Sequence, residues 1–313
     1  MARLASNGSV NSVVDLPASE GGRGDIEIVP HPDPLLEIIL SRPLSLSPAT
    51  PSLTAVCAGF ERGEWRCDRL AEHLIDWLPE FALSPSEYES ISGRTMAAQL
   101  RRAAGLVYQS SRYRRRGEVG ELLLHALIRQ TFSTQLAVSK IFFKDSANDT
   151  VKGFDAVHVV ASTAGLELWL GEAKFYSDAM GAIRDAARSI REHADADFMR
   201  QEFIAITNKL DPSWRHSDKL RLLLHPNTSL DQVFTRLSVP VLITYDSSTL
   251  AQFNARSQEY ITAMRMELDE HFARFCACRI PTQIRIHVFF VPLNTKGALN
   301  EAFHRRLVAC QSI

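Results

Sequence analysis

Nowhere in its 313 residues does the chain contain a run of about 18 apolar side chains, which excludes an ordinary transmembrane helix. The first thirty residues lack both a basic start and an uninterrupted apolar segment, so the expectation is a cytoplasmic chain without a secretory signal. Neither sign of charge is in excess. With 35 Lys and Arg against 36 Asp and Glu, no globally basic coat for nucleic acid exists, and any such contact must come from a local patch. Cysteine is scarce: five residues, an odd number without regular spacing, fit reduced thiols rather than a disulfide framework. Cys276-Ala277-Cys278 has no second Cys or His pair at finger spacing, which argues against structural zinc. A Walker-type glycine-rich loop is missing too, so the chain itself is not expected to hydrolyse a nucleoside triphosphate. There is no internal repeat.

What is present has ordinary globular composition, 45% hydrophobic and 23% charged, and the length suits one main core with additions. Residues 1–50, rich in Ser, Gly and Pro, read as an irregular or disordered lead-in, and Arg23-Gly24-Asp25 within it is a chance match to an adhesion tripeptide. Residues 51–110 read as a helical addition. From about residue 53, Trp65, Leu70, Leu74, Trp77 and Leu78 recur at three- and four-residue steps, and a second helical run covers 95–108. Residues 111–313 read as the core with a C-terminal extension. A helix after Gly117 carries Leu122, Leu123, Leu127 and Ile128, and strands are expected at 137–143, 153–160 and 166–175. The last two flank a short Ser162-Thr163-Ala164-Gly165 turn and form a hairpin. A helix at 178–193, a strand at 202–207, strands at 239–245 and 284–291, and a long helix at 257–276 complete the pattern, with the late strands extending the same sheet. This order predicts an α/β or α+β fold, a sheet covered by helices.

The chemistry concentrates in the hairpin. Along 166–175, Leu166, Leu168, Leu170, Glu172 and Lys174 share one face, so an apolar face abruptly becomes charged. Asp155 interrupts the partner strand on the face of Val157 and Val159, and the hairpin can bring it beside Glu172. Two carboxylates on adjacent buried strands raise each other's pKa unless a cation sits between them, and magnesium or manganese suits so oxygen-rich a place. On the helix after Gly117, Glu118, Glu121 and His125 form one stripe at i, i+3 and i+7 and offer a further carboxylate. His158 falls on the face opposite Asp155 and reads as a hydrogen-bonded core histidine.

A helical glutamate, an aspartate, and Glu-x-Lys on the next strand resemble the PD-(D/E)XK nuclease superfamily, carried here by Glu121, Asp155 and Glu172-Ala173-Lys174. Phe154 stands where that pattern often has Pro. The resemblance implies a restriction-endonuclease-like mixed sheet flanked by helices. It also implies a site in which Asp155, Glu172 and Glu121 or Glu118 hold a divalent ion while Lys174 positions or activates water. Glu121 is preferred, because Glu118 falls in the first helical turn where the helix dipole already explains a carboxylate. A narrower resemblance spans residues 55–210. Trp65-Arg66, Leu70-Ala71-Glu72-His73-Leu74, Trp77-Leu78-Pro79-Glu80-Phe81-Ala82-Leu83, Arg116-Gly117-Glu118-Val119-Gly120-Glu121, Lys152-Gly153-Phe154-Asp155 and Leu168-Trp169-Leu170-Gly171-Glu172-Ala173-Lys174-Phe175-Tyr176 resemble the HamA family, nuclease subunits of the Hachiman anti-phage defence system. That resemblance implies a metal-dependent DNA endonuclease held inactive by a HamB-like helicase until the helicase engages DNA. Two alternatives stay open: a catalytically silent module that grips DNA or the helicase, and an RNA-cleaving toxin built on the same site.

Two basic features could face DNA. Arg112, Arg114, Arg115 and Arg116 lie just before the Glu121 helix, and Arg184, Arg188 and Arg191 line a face of the helix after the Glu-x-Lys strand, where amphipathic packing explains them equally well. If the first cluster binds phosphates, replacing Arg114, Arg115 and Arg116 with Ala should weaken binding on every DNA sequence alike. The slope of log affinity against log salt should then fall by about one unit for each phosphate the variant no longer neutralises. An unchanged salt slope, read by fluorescence anisotropy at several salt concentrations, would leave the cluster as a solvated loop.

Overall fold

The computed structural model describes residues 31–43, 50–107, 117–139, 141, 153–162, 165–281 and 283–313; most of the expected irregular lead-in lies outside them. Strand β1 (Glu37–Arg42) pairs antiparallel with β2 (Ser52–Cys57). A ribbon of β3 (Phe60–Glu61) and β4 (Glu64–Trp65) leads into α1 (Cys67–Asp76), α2 (Leu78–Ala82), α3 (Pro85–Glu89) and α4 (Met96–Val107). Next come α5 (Glu118–Phe132), β5 (Gln135–Ser139), β6 (Ala156–Ser162) and β7 (Gly165–Phe175), followed by α6 (Ala179–His193), α7 (Ala196–Lys209), α8 (Ser217–Leu223) and α9 (Leu230–Phe234). The chain ends with β8 (Leu237–Asp246), α10 (Ser248–Gln252), α11 (Gln258–Cys276), β9 (Arg285–Leu293) and α12 (Lys296–Gln311). Among the described residues, no helix is long and apolar enough to cross a membrane.

Among the described residues, seven strands form one mixed sheet in the order β1-β2-β9-β8-β7-β6-β5. The inner four, β2, β9, β8 and β7, run parallel, and antiparallel strands flank them on both sides. Parallel strands are covered on both faces and therefore read as near-continuous apolar runs. In β8 every residue except Asp246 is buried, and in β9 every residue after Arg285 is buried. Helices carry the chain between these strands, α6 to α9 from β7 to β8, and α10 and α11 from β8 to β9. Both edges are irregular, with register shifts between Ile38 and Leu40 in β1 and between Leu136 and Val138 in β5. The β7–β8 pairing also lapses opposite Val239 and Pro240, where proline has no N–H to give, and resumes at Val241 beside Glu172.

The hairpin, the 178–193 and 257–276 helices and the late strands fall where the sequence puts them, and α6 and α11 start at side-chain caps, Asp178 and Ser257. Three segments differ. Residues 37–42, inside the expected irregular lead-in, form β1. Residues 52–57, read as the start of a helical run, form β2: all six are buried between β1 and β9, and a short apolar run cannot be told from a buried helix by periodicity alone. Residues 202–207, read as a strand, belong to α7, whose buried set Met199, Glu202, Phe203 and Ile206 follows helical spacing after the Asp195 cap.

The helical segment before α5 is tied to the sheet by a buried polar network. Arg129 of α5, 2% exposed, donates to Glu80 of α2 and to the Thr134 carbonyl. His125 Nδ1 lies 3.2 Å from His158 Nε2, and the other His158 nitrogen lies 2.8 Å from Thr134 Oγ1, so His158 is the core histidine its face predicts. Trp77, wholly buried, packs edge-on against His125 at 5.4 Å and donates to His73 Nε2 at 3.2 Å. A variant such as Trp77→Ala would therefore cost about 3 to 5 kcal/mol.

These buried histidines set an acid limit. Burial holds His158 and His287 down at about 3 and depresses His125 strongly as well. Below about pH 6.5 the unfolded chain takes up protons there that the folded chain refuses, so stability falls as pH drops; above that value these groups contribute no pH dependence. Three such sites give a slope of about 4 kcal/mol per pH unit between about pH 6 and 5. Other groups titrate in the same window, His73, held at about 4, among them, so the check is a difference: urea titrations should show His158→Gln with a slope smaller than wild type by about one proton, about 1.4 kcal/mol per pH unit.

Candidate active site

Strand β7 pairs antiparallel with β6 from Ser162 opposite Gly165 to Ala156 opposite Gly171. That register brings Asp155, one residue before β6, beside Glu172. At this point the ladder gives way to a side chain: the Asp155 N–H donates to the Gly171 carbonyl at 2.8 Å, and Asp155 Oδ2 accepts from the Ala173 N–H at 2.7 Å. Asp155 and Glu172 are 7% and 4% exposed, so two carboxylates are buried together on adjoining strands. Burial first, then the neighbouring Asp155 charge, pushes Glu172 up to about 7 despite the opposing pull of Lys174.

Lys174 Nζ donates to Glu172 Oε1 at 2.5 Å and to Ser189 Oγ of α6 at 2.8 Å. His193, one helical turn beyond Ser189, places Nδ1 3.5 Å from Glu172 Oε2. Tyr176, at the other end of the row, donates to Asp185 Oδ2 at 2.7 Å. Asp185, Ser189 and His193 are thus spaced by four along α6 and meet Tyr176, Lys174 and Glu172, spaced by two along the end of β7 and the residue after it. Four helical residues rise about 6 Å and two strand residues about 6.6 Å, so the two rows stay in step. The His193 ring is held between aromatics, stacked on Phe198 at 4.5 Å and edge-on to Phe154 at 4.6 Å. Phe154, Glu172, Ile190, His193, Met199 and Ile284 line a small, mostly apolar cavity of about 10 Å³ on this side of the sheet.

The opposite face of β7 receives α5. An added Cβ at Gly120 would come 2.6 Å from Phe175 Cβ, and one at Gly171 would come 2.9 Å from Leu124 Cδ2, so two glycines allow a close helix–strand approach. The structure therefore brings Asp155, Glu172 and Lys174 together. Glu118 and Glu121 are buried in the first turn of α5, which packs against β7 through the contact of Gly120 with Phe175. His125, the third member of their stripe, faces the core network instead.

Arg112, Arg114, Arg115 and Arg116 lie outside the described residues. Arg184, Arg188 and Arg191 are exposed on α6, whose buried face is Ala182, Ile183, Ala186, Ala187 and Ile190. Arg188 pairs with Asp185 at 2.8 Å, and Arg191 donates to the Arg279 carbonyl at 3.0 Å. Sequence reasoning missed Ser189, His193 and Glu202. The polar row at i, i+4 and i+8 on an otherwise apolar helix face was the available signal for the first two.

Magnesium binds through one or two carboxylates and keeps several waters, so the Asp155–Glu172 pair has the donor chemistry for it. Among the described residues, no group of three or more His, Cys, Asp or Glu side chains is placed to hold a metal ion. The pair would be strengthened by a cation and is costly without one. Raising the Glu172 pKa makes its ionised form a liability that is absent below about pH 4.5, grows as pH rises, and is complete above about pH 7. Glu172→Gln, which keeps an acceptor for Lys174, should therefore stabilise the metal-free chain at pH 8 by an amount on the order of 1 to 3 kcal/mol and leave it unchanged near pH 4. Thermal melts in chelator at the two pH values check this.

Over residues 33–307 the sequence matches the HamA family. It is also similar to Anti-bacteriophage protein A of Escherichia coli (strain K12), with 22% identity over 272 residues that cover 80% of this chain and 48% of that protein. The chain thus spans about half the length of this relative. Because the family match runs from just before β1 into α12 and takes in the whole sheet together with Asp155, Glu172 and Lys174, the chain belongs to the HamA family.

Proposed function

We propose that this chain is a divalent-cation-dependent nuclease of the PD-(D/E)XK type, acting on DNA in anti-phage defence under the restraint of a HamB-like helicase. The observation that carries the catalytic part is the burial of Asp155 beside Glu172, with Lys174 hydrogen-bonded to the second carboxylate. A role confined to binding gives no reason to bury like charges next to each other. The defence role and the partner draw their support from the family and from the name of the Escherichia coli relative.

In this reading Asp155 and Glu172 hold magnesium or manganese; Glu118 and Glu121, both in the first turn of α5 on the opposite face of β7, are not placed with them, so the expected helical third carboxylate is left out of the proposed site. When bound, the ion supplies charge neutralisation at the scissile phosphate and makes a neighbouring water more acidic. The remaining steps belong to the chain. Asp155 is fixed by two backbone contacts with β7 and does not have to reorganise. Lys174 has three donors; Ser189 anchors one, and the donor now on Glu172 can turn toward the phosphate oxygens where negative charge develops. His193 and the aromatic pair around it pack the inner side of Glu172, leaving only a small cavity there.

Purified chain should nick plasmid DNA with Mg2+ or Mn2+ and stop in excess chelator. Glu172→Ala and Asp155→Ala should each lower the rate by at least about a hundredfold while the fold persists. Cleavage of structured RNA but not of plasmid would reassign the substrate. Retention of DNA without cleavage under any divalent ion, or full activity in both variants, would sink the nuclease reading in favour of a module that only grips.

A further inference from the structure

We infer that Glu202 of α7 is a positioning residue that aims Asp155. This rests on the reading of Asp155 as a cation-holding carboxylate. Glu202 lies between exposed Gln201 and buried Phe203 and is itself only 8% exposed, on the helix face that carries Met199 and Ile206 into the core. A carboxylate enters such a face at a cost unless it is matched by a donor. Its match is 48 residues away: Oε1 accepts the Phe154 N–H at 3.2 Å, immediately before Asp155.

The turn is shaped around that carboxylate. Gly153 has φ +123°, a conformation that side-chain-bearing residues rarely adopt, and a Cβ there would come within 2.7 and 2.8 Å of the two Glu202 oxygens. Glycine is thus required twice, for the backbone angle and for the room. Phe154 is gripped from the same helix pair, edge-on to His193 of α6 and at 6.2 Å from Phe198 of α7. Asp155 then leaves this clamp and is caught by β7 through the Gly171 carbonyl and the Ala173 N–H. One side of the aspartate is therefore set by the sheet, and the other by Glu202. A buried acceptor that holds the backbone next to a ligand acts as the outer support of the ion, as second partners of metal ligands do.

The test uses the full chain and Mn2+ alone, with free ion counted by electron paramagnetic resonance and no nucleic acid present. Glu202→Met keeps the volume and removes the acceptor; Glu202→Gln keeps an acceptor and removes the charge. Binding should weaken by about tenfold or more in Glu202→Met and stay within about threefold of wild type in Glu202→Gln. Wild-type affinity in Glu202→Met, while Glu172→Gln has lost the ion, would overturn the positioning role and leave the proposed site standing. If wild type and Glu172→Gln bind Mn2+ alike, the carboxylate pair is not a cation site and the inference falls with it. Should Glu202→Met lose its cooperative unfolding transition, Glu202→Ala takes its place, since it removes the acceptor at a helical position alanine suits and leaves the Gly153 turn unaltered. The same drop in affinity is expected there, and unchanged binding would count against the role.

Discussion

The fit between one helix and one strand organises this molecule. Along α6 the polar residues Asp185, Ser189 and His193 recur every four positions, and along the end of β7 and the residue after it their partners Tyr176, Lys174 and Glu172 recur every two. Because these repeats are nearly equal in length, three polar contacts form in a row without bending either element. The apolar residues before and between them, Ala182, Ile183, Ala186 and Ile190, are then free to pack on the sheet. Without this agreement, buried Glu172 and half-buried Lys174 would be charges facing an apolar helix, at a cost that packing alone would not offset.

The other face of β7 solves a different problem. There α5 approaches through glycine contacts at Gly120 and Gly171, and its far side is locked to α2 by Arg129 and Glu80. This accounts for the stretch from Trp77 to Leu83, whose hydrophobic members Trp77, Leu78, Phe81, Ala82 and Leu83 are all at most 1% exposed. Its one charged residue, Glu80, reaches the buried guanidinium of Arg129. The helices of the first third are in this way part of the same packed body as the sheet, reinforced by β2, which lies inside the sheet between β1 and β9.

That Asp155, Glu172 and Lys174 come together was legible in the sequence because its signals there are local. An apolar strand that turns charged at Glu172 and Lys174, and a partner strand interrupted at Asp155, are visible in a few residues, and period-two alternation assigns their faces. Capped, strongly periodic helices such as α6 and α11 were legible for the same reason. The failures have one cause: they concern residues whose state is decided by distant partners. Residues 52–57 are a strand because β9 lies beside them, more than two hundred positions later in the chain. Glu202 was hidden inside a segment read as a strand, and nothing near it in sequence announces that its acceptor serves Phe154. Ser189 and His193 are overshadowed in sequence by the arginines, which lie on the exposed side of the same helix.

An open sheet has two unsatisfied borders, and each is a template on which a neighbouring chain could lay a strand. Here β1 and β5 both break register, which spoils the even spacing of N–H and C=O groups that strand addition needs. The ends of β1 are further occupied by charge, Glu37 with Arg256 at 2.9 Å and Arg42 with Asp269 at 2.6 Å. Register breaks and edge charges of this kind are how natural sheets disfavour edge-to-edge pairing between crowded copies, a protection that matters where interior strands are as apolar as β8 and β9.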